Sequence, residues 1–472
     1  MIQFPDVALG PLLPLMILLI TAIFATLGGL YTSRTFTAYV GVGGLVLTLL
    51  SLFSLWGKNE TAFAGSLRAD NYALIFSGIM VIGTLLCALV SLDTAKKSRL
   101  NFVEFDAILY YGLSGCVLIA FAGDLITLLI GVEVMSLATY VLATFQASKR
   151  AEEAGLKYFL LGSIGSAILI YGMALVFGAT GHFDFAGIAS AISAQGFSNT
   201  VILVAGALLM LAGFSFKVGL VPFHQWTPDV YAGSPTLVTL FMSVVVKTAA
   251  FAGFIRIFGE VLAGVSGWQV PVQILAGVTM LLGNMAALRQ KELKRMLAYS
   301  AIAHSGYLVL GVLATVNIKA GPMFAAFYLL TYTAMNAGVF AAIGALQKDD
   351  RGVTLDDLKG LYHKKPLYAV PLALFWVSLA GLPPLGGFMA KYGLFTAAFY
   401  ARNEILVLVA LVSSMYALVY YLRPMVLMFV QPKEGVTETY EIQPFSGLVI
   451  GISVIGLCLL GLFPAWFYNS IF

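Results

Sequence analysis

Charge is scarce in this chain: lysine, arginine, aspartate and glutamate make up 10% of its 472 residues, against roughly a quarter in a soluble globular domain. With 60% of residues hydrophobic, that shortage excludes a water-soluble core and leaves an integral membrane protein. Cysteine is nearly missing too. Cys87, Cys116 and Cys458 stand alone inside apolar runs, without the paired spacing of a zinc site, an iron–sulfur cluster or a disulfide framework, so they read as packing residues. Neither GxGxxG nor GxxxxGK[ST] occurs, which excludes a recognisable nucleotide loop within the chain. The net charge of +4 is scattered over short connections and builds no basic domain, so nucleic acid is not an expected partner.

What fills the chain instead is a series of apolar runs of about 18 to 28 residues. About 20 helical residues cross a hydrocarbon core, so these runs read as helices rather than barrel strands. Helices also satisfy their own backbone, as lipid requires. The spacing predicts an all-α integral membrane protein of about fourteen transmembrane helices, beginning near residues 7, 36, 72, 105, 124, 154, 200, 233, 269, 293, 321, 367, 403 and 445. The first run is long and lacks a basic flank, which favours a retained span over a cleaved leader. The longest connections cover 181–199 and 347–366, and the second, QKDDRGVTLDDLKGLYHKKP, is charged enough to lie in water with a short surface helix. If connections alternate sides, sixteen lysines and arginines fall on one side, from Arg34 through AKKSR, SKR, RQKELKR and the 347–366 connection to Lys433. Only Lys58, Arg68, Lys319 and Arg402 fall on the other. The cytoplasmic bias of basic residues makes the first side cytoplasmic and turns both termini away from it.

A weak repeat runs through the chain. GLVP at Gly219–Pro222 returns as GLPP at Gly381–Pro384, and the same shift of 162 lays the fifth, sixth and eighth runs over the tenth, eleventh and thirteenth. Five helices is an odd number, so successive copies enter the membrane from opposite sides, a transporter design in which broken helices meet near the midplane. The expected organisation is a three-helix segment over 1–103, a first repeat over 104–260 (helices four to eight), a second over 261–432 (nine to thirteen) and a last helix over 433–472. Pro222, and Pro383 with Pro384, remove backbone donors inside the seventh and twelfth runs. Both helices are therefore expected to be broken, with freed carbonyls that admit water; a plain kink against neighbouring helices is the alternative.

A charge at the bilayer centre costs about 3 kcal/mol on insertion scales, so such residues are few and functional by default. Glu133 in LLIGVEVMSLATY, Lys217 in AGFSFKVGLVP, Lys247 in FMSVVVKTAAF and Lys391 in GLPPLGGFMAKYGLF all lie within apolar runs. A buried lysine loads or releases a proton when its carboxylate partner moves, and Glu133 beside Lys217 would form such a pair. A static ion pair that fixes packing is the competing reading, but one glutamate does not neutralise three lysines. Arg256, Glu260, Arg423 and Lys157 lie nearer run ends, where long side chains reach water. His182 and His363 fall in connections. His224 follows the expected break of the seventh helix, and His304 sits mid-run with Tyr299, Ser300, Ser305 and Tyr307 around it. Both are candidate proton relays, while a hydrogen-bonded structural ring remains open for His304. Two such histidines also suit a haem, but lysines and broken helices are poor company for one. The small residues of LLGSIGSAILIYG allow close helix approach and call for no further role.

At these residues the chain resembles the antiporter-like membrane subunits of respiratory complex I, most closely the subunit N family of bacterial NADH–quinone oxidoreductases. The resemblance is nearly full length. It is carried by GVEVMSLATYVL, SKRAEEAGLKYFLLGSIGSAILIYGMALVFG, FKVGLVPFHQWTPDVYAGSPT, VVVKTAAFAGFIR, KRMLAYSAIAHSGY and LAGLPPLGGFMAKYGLF. It implies fourteen helices with two inverted five-helix repeats, broken helices seven and twelve, and a hydrated polar chain in which Glu133 modulates Lys217, Lys247 links the two half-channels and Lys391 serves the second. Related subunit L carries a long lateral C-terminal helix, which is not expected here, and related subunit M has glutamate where Lys391 stands.

The resulting expectation is a non-redox, proton-translocating subunit of a bacterial plasma-membrane enzyme. No cofactor is expected on this chain; NADH, FMN, iron–sulfur clusters and quinone belong to partner subunits. Expected partners are antiporter-like subunit M, small subunits such as K and J, and lipid. Kindred subunits build multisubunit sodium/proton antiporters, the first rival reading. A membrane anchor whose charges only pack helices is the second, and a solute transporter the third, although nothing specifies a roomy polar pocket.

Overall fold

The computed structural model describes residues 8–94, 100–194, 200–318, 320–347, 351–431 and 443–471. Lys96, Lys97, Arg99, Lys319, Lys348 and Lys433, which weigh in the charge asymmetry above, lie outside them. The chain is helical almost throughout. In order come α1 (Leu13–Gly28), α2 (Arg34–Ser54), a hairpin of β1 (Glu60–Ala62) and β2 (Leu67–Ala69), α3 (Asn71–Thr94), α4 (Val103–Phe121), α5 (Leu125–Thr144), α6 (Lys149–Thr180), α7 (Phe185–Ala194), α8 (Val201–Val218) and α9 (Trp226–Gly233). Next are α10 (Thr236–Phe241) and α11 (Lys247–Arg256), joined by a π-helical stretch over Met242–Val246 and followed by another over Ile257–Val261. The second half holds α12 (Gln269–Ala287), α13 (Leu293–Asn317), α14 (Gly321–Leu346), α15 (Leu361–Lys364), α16 (Pro366–Ala380), α17 (Gly386–Tyr400), α18 (Glu404–Phe429), α19 (Pro444–Leu462) and α20 (Pro464–Ile471).

Among the described residues, twelve helices are long and apolar enough to cross a membrane, counting Thr236–Val261 as one. Shorter apolar helices, α1, α7 and α16, accompany them. The 181–199 connection is not wholly irregular, because α7 occupies half of it. Arg34, counted above as a loop cation, is the first residue of α2. It is buried against α3 and α4, where its guanidinium donates to Ser91 Oγ of α3 at 3.3 Å and to Asp106 Oδ1 of α4 at 2.9 Å.

Packing repeats along the chain. α4 lies on α5 and α6 on α8 in the first half, α12 on α13 in the second, while α3 and α19 both pack on α14. The α4–α5 contact is close because Gly115 and Gly131 face each other: a Cβ on Gly115 would sit 2.6 Å from the Met135 nitrogen. One continuous apolar core runs from Leu15 to Phe467, so the three N-terminal helices share it with the rest.

Both expected breaks are present, but glycine rather than proline ends each first half-helix. α8 stops at Gly219 (φ 75°) and α16 at Gly381 (φ 84°), both left-handed caps. Leu220 N–H donates to Ser215 O and Leu382 N–H to Val377 O, the pattern that satisfies a helix's last carbonyls. The prolines come three residues later, and the Val221–Pro222 and Pro383–Pro384 peptides are cis. The physical reason is local. A glycine cap closes the helix at once, whereas a proline blocks only the carbonyl one turn behind it.

Candidate functional site

Because α8 ends at Val218, Lys217 lies in its last turn, beside the first break. Its ammonium points into the protein, donating to Ser136 Oγ of α5 at 2.8 Å and Ser166 Oγ of α6 at 3.2 Å. The expected Glu133–Lys217 ion pair is not formed. Glu133 is half-buried on α5, its Oε1 has no partner among the described residues, and Ser136, one turn along, takes the place beside the lysine. Sequence reasoning missed both serines. Ser136 also donates to Val132 O at 2.6 Å, so it resembles any serine tucked into its own helix, and Ser166 lies in LLGSIGSAILIYG, read above as packing alone.

The break leaves carbonyls to satisfy, and their partners lead onward. Ser305 Oγ of α13 donates to Val218 O at 2.5 Å and itself accepts from Lys247 Nζ at 2.9 Å. Lys247 donates also to Ala301 O at 2.5 Å and lies 5.5 Å from the centre of the Tyr332 ring. The π-helical turn just before Lys247 adds a residue to the register, a local feature common at functional positions; nothing in the apolar letters MSVVV announces it. Between Lys217 and Lys247 lies a cavity of about 10 Å³ bordered by Trp226, Thr227, Tyr231 and Met242, room for about one water.

Lys391 sits inside α17 and reaches back over the second break. Its ammonium donates to Ala380 O, the last residue of α16, at 3.0 Å and lies 5.3 Å from the Tyr307 ring centre. A cavity of about 370 Å³ opens beside it, walled by Phe388, Tyr392, Phe395 and Phe399. The three lysines are 9, 6 and 7% exposed. Among the described residues none of them forms an ion pair; their partners are hydroxyls, carbonyls and ring faces.

His304 is buried on α13 between two phenols, Nδ1 to Tyr328 OH at 2.6 Å and Nε2 to Tyr421 OH at 3.0 Å, and Tyr421 in turn hydrogen-bonds Ser300. His224 lies in the first break, half-buried, with Nδ1 buried and unpartnered among the described residues. The structure thus gathers Lys217, Lys247 and, through α13, His304 into one interior zone, with Lys391 in the neighbouring one. His182 and His363 are exposed. Arg256, 3% exposed, serves elsewhere: it makes two 2.8 Å bonds to Asp70, lies 4.4 Å from the Tyr72 ring centre and pairs with Glu260, which Arg68 also holds. Burial alone would raise the Asp70 carboxyl, but the Arg256 guanidinium outweighs it and holds the group below the usual carboxylate range. Lys157 joins Glu153 and Asp229, and Asp229 also takes Arg295. Among the described residues no cluster of three or more histidine, cysteine or acidic side chains suits a metal ion.

This arrangement has known relatives. The family described as NADH:quinone oxidoreductase/Mrp antiporter, TM, matches residues 122–417. NADH-quinone oxidoreductase subunit N of Deinococcus radiodurans is 50% identical over 475 residues, covering 98% of this chain and 96% of that protein. A chain of respiratory complex I from Thermus thermophilus, solved with bound aureothin, superposes with a TM-score of 0.84 at 35% identity, covering 97% of this chain and 99% of that one. A chain of the Mrp complex from Dietzia sp. DQ12-45-1b superposes at 0.83 over 98% of this chain and 95% of its own length, but at 22% identity the likeness is one of fold alone. With one match covering more than half of its length and others nearly all of it, the chain belongs to the NADH:quinone oxidoreductase/Mrp antiporter family of membrane subunits, in its subunit N branch.

Proposed function

We propose that this chain is a proton-translocating subunit of respiratory complex I, moving protons along Lys217, Lys247, His304 and Lys391 while redox chemistry proceeds in its neighbours. The observation that carries the reading is the coordination of the three amines. A carboxylate partner would fix each as a cation, whereas hydroxyls and carbonyls hold an amine in either protonation state: a hydroxyl accepts from the ammonium and donates to the neutral nitrogen. Ser136 and Ser166 can do so for Lys217, and Ser305 for Lys247. Glu133, half-buried and one helical turn from Ser136, is placed to bias Lys217 through space. A charge change at this flank lowers the proton affinity of Lys217, and the proton passes by the small cavity to Lys247, then by His304 towards Lys391. His224 serves as a side station in the first break, where the buried hydroxyls of Ser215 and Thr227 are likewise unpartnered among the described residues, as a water-lined route requires.

In this reading fourteen helices cross the membrane, α8 with α9 and α16 with α17 each forming one broken span. Residues 104–260 and 261–432 are inverted repeats, flanked by 1–103 and 433–472. Both termini face away from the bacterial cytoplasm. The partners are antiporter-like subunit M and small subunits such as K and J; NADH, FMN, iron–sulfur clusters and quinone reside outside this chain, so energy arrives by electrostatic and conformational coupling. Lys217→Ala in the assembled complex should abolish most proton pumping while the subunits still co-purify. Pumping at the unaltered rate rejects the proposal, and co-purification with cation-antiporter subunits instead of a quinone reductase transfers the chain to that class.

A further inference from the structure

Two clusters of buried hydroxyls lie on the way to Lys391. The first surrounds His304: Tyr328, Tyr421 and Ser300, with Tyr420 packed on Tyr421 at 4.3 Å between ring centres and its hydroxyl interacting with those of Tyr421 and Ser300. The second lies under Lys391: Tyr307, whose hydroxyl meets Ser413 and Ser414, each at 3.2 Å. Among the described residues, the side-chain hydrogen bonds joining the two clusters all run through Asn284 of α12, a fully buried side chain. Its Oδ1 accepts from Tyr420 OH at 2.8 Å, and its Nδ2 lies 2.9 Å from Tyr307 OH and 2.6 Å from Ser413 Oγ, two acceptors that share its two hydrogens with a third. Nδ2 also lies 3.0 Å from Met280 O. A carbonyl can face only an N–H, so that contact fixes which way the amide points.

The chemistry of that link differs from its surroundings. A hydroxyl, a water or an imidazole accepts a proton on one side and releases one on the other. A carboxamide holds its acceptor and its donors on different atoms, so it transmits hydrogen-bond orientation but hands on no proton short of an imidic-acid tautomer. His304 is no bypass in this structure, because both of its ring nitrogens are engaged by Tyr328 and Tyr421. We infer that Asn284 is a proton block between the His304 cluster and the Tyr307–Lys391 cluster, keeping the two halves of the route disconnected at rest while it orients the Tyr307 phenol beneath Lys391. A pump needs such a break, since a path open along its whole length dissipates the gradient it makes. This positioning role rests on the proton-translocation reading above.

The test uses the intact complex in sealed vesicles, with a pH-sensitive dye reporting passive proton entry under an imposed gradient without NADH, and protons moved per NADH oxidised under turnover. Asn284→Asp supplies a carboxyl that accepts from Tyr420 and releases to Tyr307, and Asn284→Thr a relaying hydroxyl. Asn284→Leu fills similar volume with no relay. The expected result is a several-fold rise in passive conductance with fewer protons per NADH for the aspartate variant, or for the threonine variant if aspartate prevents assembly, and no rise for leucine. Equal leaks from leucine and the relaying variants reduce the effect to packing and overturn the inference, as does the absence of any leak from both relaying variants. If Lys217→Ala pumps normally, the translocation reading has failed; if it does not pump and the relaying variants stay tight, only the block has.

Discussion

The two helix breaks share a backbone and differ in what surrounds the amine. Each first half-helix ends on a left-handed glycine, Gly219 or Gly381, with a cis proline three residues later. In the first, the lysine belongs to the half-helix that ends, is held by two hydroxyls from other helices and faces a cavity of about one water. In the second, the lysine comes from the half-helix that begins, is held by a carbonyl and an aromatic face, and borders a cavity of about 370 Å³. Spare hydrogen-bonding capacity gathers around the first break, at Ser215, His224 and Thr227. Around the second, Tyr307, Ser413 and Ser414 are knitted to one another and to Asn284. Two similar breaks therefore carry lysines in two different environments, and the difference lies in side chains contributed by neighbouring helices, not in the break.

The ends of the two halves differ in the same sense, and there the largest stability effect is expected. α3 and the β-hairpin are tied to α11 by the partly buried Arg256–Asp70 pair, whereas α12 meets the start of α18 through a neutral Gln273–Asn403 bond of 2.8 Å. Without Arg256 the partly exposed Asp70 keeps Arg68 at 3.2 Å, so the loss is that of charge-assisted hydrogen bonds, about 1.5–3 kcal/mol, against about 1 kcal/mol for one neutral hydrogen bond. Arg256→Met should lower the thermal midpoint of the purified complex well beyond Gln273→Met, and equal midpoints would remove the contrast. Next in size come the caps. Alanine at a left-handed position costs about 1–2 kcal/mol, so Gly219→Ala and Gly381→Ala should destabilise alike. They should part company in pumping. A Cβ on Gly381 would lie 2.8 Å from Lys391 Cδ and 3.1 Å from its Nζ, whereas one on Gly219 meets only Thr227 Oγ1, at 3.1 Å. Proton translocation should fall further in the Gly381 variant, and matching losses would mean that the lysine's seat at the second break is not special.

The smallest expected effect is that of pH on the Asp70 clamp. The folded carboxyl lies below its unfolded value of about 4. Its stabilising contribution is therefore complete above about pH 4 and disappears only as pH falls through the lower folded value. Thermal midpoints of the parent and of Asp70→Asn should differ by a constant amount from pH 5 to 8 and converge below about pH 4. Convergence already between pH 5 and 7 would contradict the assigned direction.

The amines were legible in the sequence because a lysine inside an apolar run is a local signal that needs no fold to read. The breaks were legible through their prolines, although the cap that ends each helix is a glycine whose positive φ only the backbone reveals. The partners were not legible. Ser136 and Ser166 lie 81 and 51 residues from Lys217, and serines in apolar helices ordinarily bond their own backbone, so only tertiary packing singles these two out. The expected Glu133–Lys217 pair failed for a related reason: attraction of opposite charges sets a preference, but helix rotation decides which residue of α5 faces α8, and that residue is Ser136. Asn284 drew no notice for lack of charge, although its position between two hydroxyl clusters gives the amide its meaning.

On the proposed route Lys247 links the two halves; it is joined to the first break by Ser305 and to α13 by Ser305 and Ala301. The most direct measurement is the number of protons moved per NADH oxidised by reconstituted complex bearing Lys247→Met, a substitution that keeps the chain length and removes the amine. The ratio should fall clearly below that of the parent with the subunit still in place. An unchanged ratio at an unchanged oxidation rate would mean that protons do not pass along these buried lysines.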